Sequence, residues 1–236
     1  MNKSSEILSV SDQIAIDILR SILRGKIKLG QKLPTEATLA KEYGVSRPTI
    51  RNALITLENE NILKSKQGCQ GGWYVTDNNP ASVAKHLGSY LSLLIDSNQI
   101  TSKNLWEVRN LIEVKACGLA AVRRTSEDLQ AIAAAIPVDY ANLSDYEYHS
   151  QDIEFHRRIA EATHNPLIVL IVNITTMVQE LYAMTSPAPE KRRQELNKNL
   201  FEIYEAIFKQ DVRQAEEAMA KHLQCFKQMS GNVSFG

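Results

Sequence analysis

Asp152 and His156 stand four residues apart in a stretch, about 144–163, whose apolar residues recur at helical spacing, so both side chains share one face about a turn apart. A carboxylate and an imidazole so placed can meet one divalent cation, or simply hydrogen-bond to each other. Arg109 lies among Leu105, Val108, Leu111 and Ile112, on a helical stretch otherwise built for a core. A guanidinium in that setting needs an anion, because burying it unpaired is expensive. Glu113 one turn on, an acid on another helix, or the carboxylate of a ligand would each serve.

A second group carries different chemistry. Arg47, Thr49 and Arg51 fall at the start of a helix whose other face is Ile50, Ala53, Leu54 and Leu57. Arginine can bond guanine O6 and N7 bidentately or hold a phosphate, and threonine does either more weakly. Ser46 is a natural N-cap that can also donate to phosphate, and Pro48 occupies the first turn. Downstream, Lys64, Lys66, Gln67 and the glycines from Gly68 to Gly72 suit a loop tip whose backbone approaches phosphate or minor groove.

The elements that must position these residues follow from periodicity and punctuation. A first amphipathic helix starts near Ser11 through Ile14, Ile18 and Ile22, with Gly25 at its C-terminal cap. Leu33-Pro34-Thr35-Glu36 opens the next helix with Pro34 just inside it, where a missing N–H costs little. The turn Tyr43-Gly44-Val45 leads to the Arg47 helix, and Ile62-Leu63 with Trp73-Tyr74-Val75 reads as a two-stranded hairpin. Two short helices joined by a Gly-containing turn are the unit whose second helix enters the major groove. Trp73 and Tyr74 are expected to pack this wing against the helices.

Thr76 to Pro80 is a polar stretch ending in proline and sets a domain boundary, giving residues 1–78 and 79–236. Beyond it only helical periodicity is found, over about 81–97, 102–123, 126–136, 144–163, 166–184, 190–209 and 211–229. Asn165-Pro166 and Ser186-Pro187-Ala188-Pro189 separate neighbouring helices. Leu167 to Val178, the most apolar run, is expected to be the buried central helix of a bundle, being too short and too interrupted for a bilayer span. The fold expected is mainly α: an N-terminal winged helix-turn-helix with a small β-hairpin, then a C-terminal antiparallel all-α bundle.

The chain has 27 Lys and Arg against 27 Asp and Glu, but the balance is uneven. Residues 1–78 hold 11 basic and 8 acidic residues, and residues 79–236 hold 16 and 19, nets of +3 and −3. A mildly basic first part fits phosphate contact. Cys69, Cys117 and Cys225 have no metal-ligand spacing and read as reduced thiols. No basic-then-apolar start resembling a secretory signal is present, so a cytoplasmic protein is expected, and the Asn-x-Ser/Thr triplets at Asn142, Asn173 and Asn232 are then chance matches. His86, His149 and His164 are expected at the surface or satisfied internally, and Tyr140, Tyr146 and Tyr148 to serve packing.

The run from Gly25 to Val75, with Leu33-Pro34-Thr35-Glu36, Gly44-Val45-Ser46-Arg47-Pro48-Thr49-Ile50-Arg51 and Gly71-Gly72-Trp73-Tyr74-Val75, resembles the GntR family of bacterial transcription regulators. Leu105-Trp106-Glu107-Val108-Arg109 through Glu113, Asp152 to His156, Ala162 to Leu167 and Asp211 to His222 resemble that family's FadR-type effector domain, FCD. Ala37 departs from an arginine the family often carries there. The resemblance implies a homodimeric, effector-controlled repressor or activator that binds an inverted-repeat operator in double-stranded DNA. It implies DNA contact by Ser46, Arg47, Thr49, Arg51, Lys66, Gln67 and Gly68, and a small anionic effector, a carboxylate, at Arg109, Asp152, His156 and His222. Asp152, His156 and His222 are also the implied metal ligands, with zinc or nickel suiting the imidazoles. A fourth family ligand position falls at Leu200, which cannot ligate, so a metal-free pocket stands beside the metal reading. Two other functions compete with the regulator: a metal-dependent hydrolase using Asp152, His156 and His222, and an all-helical interaction module. The first lacks a placed base or nucleophile, and the second leaves the winged motif without a role.

Overall fold

Three helices of the first unit start by one device: the hydroxyls of Ser9, Thr35 and Ser46 each accept the backbone N–H three residues on. They open α1 (Val10–Leu23), α2 (Glu36–Tyr43) and α3 (Arg47–Asn59), and the wing follows as β1 (Leu63–Lys66) and β2 (Gly72–Val75). The computed structural model describes residues 8–68, 71–77, 80–183, 187 and 189–230. It divides into two compact units, 1–78 and 79–236. Ile14, Ile18, Leu39, Ile50, Leu54, Leu57, Leu63 and Val75 share the core of the first. Left-handed Gly25 and Gly44, at φ 71° and 65°, stop α1 and α2.

Pro34 lies outside α2, contrary to the sequence expectation. Leu33 N–H donates to Trp73 O at 2.8 Å, keeping this segment extended against β2, and the Thr35 cap then places the first helical residue at Glu36. Ile62 likewise falls outside the hairpin. Asn61 takes φ 58°, and Ile62 N–H donates to Leu57 O at 2.9 Å, so Ile62 closes α3 and pairing begins at Leu63. Cys69 and Gln70, part of the expected tip, lie outside the described residues.

The second unit is built from α4 (Pro80–Asp96), α5 (Ser102–Arg123), α6 (Ser126–Ala134), α7 (Asp145–Glu161), α8 (Pro166–Ala183), α9 (Glu190–Phe208) and α10 (Val212–Ser230). No strand occurs among its described residues. Thr101, Thr125 and Ser144 close capping boxes at α5, α6 and α7. Cys117, Phe155, Ile159, Leu200, Ile203, Ile207, Met219 and Leu223 form the core. α5 lies against α10, α9 and α7, while α8 lies against α4 and α7. Gly118 of α5 faces the Glu216 side chain of α10, whose Oε1 lies 2.6 Å from where a Cβ would stand.

α8 is not the buried centre of this bundle. Val172, Thr176 and Val178 are buried, but Leu167 is 62% exposed and Ile168 to Ile171 are half-buried. The apolar run therefore covers one packed face and a second face left open on this chain.

Candidate functional site

Two surfaces carry the residues singled out from the sequence. At the start of α3, Ser46 caps the helix through Thr49 N–H at 3.3 Å, and its hydroxyl lies 2.8 Å from that of Thr49. Arg47 and Arg51 are exposed, and neither makes an ion pair among the described residues. Ile50, Ala53, Leu54 and Leu57 fix the opposite face in the core, so the arginines project from a rigid rod. The wing is tied to the helices twice. Ser65 donates N–H and O–H to Glu58 Oε1 at 3.0 and 2.6 Å, and the Trp73 indole donates to Glu36 Oε1 at 3.1 Å. Lys66, Gln67 and Gly68 stand exposed at its described end. This is the arrangement of a helix-turn-helix with a wing, able to lay α3 in a major groove.

In the second unit, α7 supplies Asp152 and His156, and α10 supplies His222. They are 1%, 2% and 0% exposed. The two imidazole Nε2 atoms face each other at 3.1 Å. Asp152 Oδ2 lies 3.7 Å from His156 Nε2, and Oδ1 lies 3.4 Å from His222 Nε2. One ligand-type atom from each residue falls within 4.8 Å of the others. Trp106 on α5 helps hold this end of α10, donating its indole N–H to Leu223 O at 3.1 Å.

Of the partners open to Arg109 from the sequence, the structure shows Glu113. The guanidinium donates from Nε and Nη2 to the two carboxylate oxygens, at 2.5 and 3.1 Å, with both side chains buried. Glu113 Oε2 also lies 2.5 Å from His156 Nδ1, in close contact but off the axis of an ideal hydrogen bond. The chain Arg109–Glu113–His156 therefore runs from α5 into the cluster, with the His156 Nε2 edge turned to His222. A carboxylate behind one ring nitrogen is the usual way of presenting the other to a cation.

The electrostatics fit that role. Burial alone would raise the Glu113 pKa, but Arg109 and His156 outweigh it and hold the carboxyl at about 2. Burial pushes His222 below the ordinary imidazole value, favouring the neutral ring that ligates metal. Asp152 stays below the ordinary carboxylate range: burial opposes ionisation, and the close His222 imidazole outweighs it. Arg109 matches Glu113 charge for charge, which leaves Asp152 as an anion facing imidazoles. Two imidazoles and a carboxylate, dry and convergent, are a donor set suited to zinc or a similar cation. Leu200 on α9 is fully buried and offers only methyl groups.

The comparisons with known proteins follow the same two units. Residues 10–75 match the model of "Bacterial regulatory proteins, gntR family", and residues 104–224 match that of the FCD domain. The chain belongs to the GntR family. A galactonate operon transcriptional repressor of Escherichia coli K12 is 29% identical over 213 residues, 89% of this chain and 92% of that protein. A putative L-lactate dehydrogenase operon regulatory protein of the same strain is 30% identical, over 91% of this chain and 83% of that protein. The solved Streptococcus agalactiae GntR structure superposes with a TM-score of 0.69 at 26% identity, covering 93% of this chain and 99% of that one. The protein is thus a GntR/FCD transcription regulator and not an enzyme, and the hydrolase reading is set aside on family grounds.

Within this GntR protein, sequence reasoning passed over two neighbours of the cluster. Glu113 entered only as a partner for Arg109, yet it also reaches His156. His149, one turn before Asp152, is buried and close enough to act on the Asp152 charge. Its spacing of three from Asp152 and seven from His156 was the available signal. His164 instead pairs with Asp128 at 2.9 Å, half-exposed. Tyr148 is fully buried and donates its hydroxyl to Arg193 O at 3.3 Å, a packing role.

Proposed function

We propose that this regulator binds its operator through residues 1–78 and that a small carboxylate metabolite, held in residues 79–236, sets that affinity. The observation that carries the proposal is the convergence of buried Asp152, His156 and His222. An aliphatic bundle has no structural need for three such groups, each of which must find a polar partner. A zinc or nickel ion held there would supply the positive charge a carboxylate effector requires. Three protein ligands leave a position for one further oxygen. Because the Arg109 guanidinium is already bonded twice, its part is to fix Glu113 and through it His156, from the edge of the effector site. The relatives named for galactonate and L-lactate operons concern hydroxycarboxylates, which fits this ligand class. By analogy with the galactonate relative, the protein acts as a repressor.

On DNA, Arg47 and Arg51 would read base edges or hold phosphate, aided by Ser46 and Thr49, while Lys66, Gln67 and Gly68 hold the backbone from the wing. A homodimer on an inverted repeat is the expected form. Leu87, Tyr90 and Leu94, at helical spacing on α4 and 45%, 63% and 38% exposed, support a face that a second subunit would cover. No described helix is long and apolar enough to cross a membrane, and a reader of bacterial operators works in the cytoplasm. The test is fluorescence anisotropy on a duplex selected by the protein from a random pool, titrated with a panel of hydroxycarboxylates. A tenfold change in affinity needs only about 1.4 kcal/mol of coupling. If no carboxylate shifts the binding curve of zinc-loaded or zinc-free protein, the effector reading fails.

A further inference from the structure

Between the wing and the N-terminal end of α3 lies a cleft of about 360 Å3, lined by Lys32, Thr35, Glu36, Arg47, Gly72 and Trp73 among others. Lys32 comes from neither the reading helix nor the wing. It forms a single antiparallel bridge to Tyr74, and its neighbours bond β2 on both sides: Val75 N–H donates to Gln31 O at 2.9 Å and Leu33 N–H to Trp73 O at 2.8 Å. The backbone of Lys32 is therefore held along β2 from both sides.

Its side chain is also directed. The Cε atom lies 2.9 Å from where a Cβ on Gly72 would stand, and Gly72 has φ 137°. The stem thus runs across a residue whose missing side chain leaves it room. The ammonium sits 5.7 Å from the centroid of the Tyr74 ring, and the Lys66 ammonium sits 4.6 Å from the same centroid. The face of that ring attracts both cations and so helps to orient them. Arg47, at the start of α3, lines the same cleft as Lys32. The lining thus holds two basic side chains, Lys32 and Arg47, and one acid, Glu36, which accepts the Trp73 indole N–H.

We propose that Lys32 is a DNA-backbone ligand which, with Arg47, clamps one phosphate in this cleft, and that Tyr74 and Gly72 hold its side chain in place beforehand. The inference rests on α3 being the reading helix. Lys32 would then neutralise one phosphate whatever the base sequence and release one counterion. At 0.1 M salt that release is worth about eightfold in affinity, and it adds about 0.9 to the slope of log affinity against log salt.

The test uses full-length protein and a duplex selected by the wild type from a random pool, with anisotropy measured across a salt series. Lys32→Gln is expected to lose about eightfold at 0.1 M salt and about one unit of slope, with base preferences unchanged. Lys32→Arg keeps the slope. Tyr74→Leu, which leaves the charge but removes the platform, loses affinity with little change of slope. An acetylation footprint of the wild type, read by mass spectrometry, should show Lys32 protected by the duplex, a readout independent of how any variant folds. Unchanged affinity and slope for a folded Lys32→Gln, or unprotected Lys32 in bound protein, overturns the proposal. If Arg47→Ala and Arg51→Ala also both bind as wild type, the reading helix itself is misassigned. If Arg51→Ala is weakened and Lys32→Gln is not, only the clamp falls.

Discussion

Glu113→Ala should be among the most damaging single substitutions in the helical unit. The carboxylate takes two bonds from Arg109, at 2.5 and 3.1 Å, and touches His156 at 2.5 Å. Removing it strands a guanidinium that is only 4% exposed, a change that typically costs about 3–5 kcal/mol. The titration of the group gives a figure of the same size. A carboxyl held at about 2 against an ordinary 4.5 corresponds to about 3 kcal/mol of stabilisation of its ionised form. The sign follows from the depressed value. The contribution is complete above about pH 4.5 and drains away as pH falls toward 2, so metal-stripped wild type should lose stability across that window and Glu113→Ala should lose less. Asp152 and His222, both lowered, push in the same direction. At about 2–4 °C per kcal/mol for a unit of this size, the variant should melt roughly 6–20 °C below wild type by circular dichroism. Replacing both partners, Arg109→Leu with Glu113→Leu, should recover most of the loss, because neither charge is then stranded. A single variant that melts within about 2 °C of wild type would refute the reasoning.

Other outcomes are expected. Arg47→Ala or Arg51→Ala should cost on the order of 1–3 kcal/mol in operator affinity if either reads a base, leaving melting unchanged, and wild-type binding by both would remove α3 from the groove. Glu113→Gln, which frees His156 from its carboxylate, should weaken zinc about 10- to 100-fold by calorimetry, and His222→Ala should abolish binding; equal zinc affinity in all three proteins would dismiss the cluster as a metal site. Sedimentation should show a dimer at micromolar concentration that Tyr90→Asp breaks, and a wild type monomeric with and without operator DNA would reject the shared α4 face.

Much of the fold was legible because its signals are local. A hydroxyl three residues before a backbone N–H, as at Ser46, marks a helix start from within the same turn. Proline at 166 and left-handed glycine at 44 mark ends for equally local reasons. Where two local signals competed, reading failed. Pro34 and Thr35 both suit a helix start, and the choice fell to Thr35 because Leu33 is held by Trp73, forty residues away in sequence.

What the sequence by itself determined is the order and kind of elements and the residue types on each helix face, including Asp152 and His156 one turn apart. Only the tertiary structure decided which of those groups meet. Arg109 had several anions open to it and took Glu113, and Glu113 then reached His156 on another helix. His222, sixty-six residues from His156, joined it because α10 and α7 both pack on α5. Lys32 found Tyr74 and Gly72 only once its segment was bonded to β2. α8, apolar enough to read as buried, kept one face open for the same reason. Local preference is set by a few bonds within a turn, whereas partner choice and burial depend on helix-to-helix distances that no short stretch of sequence contains.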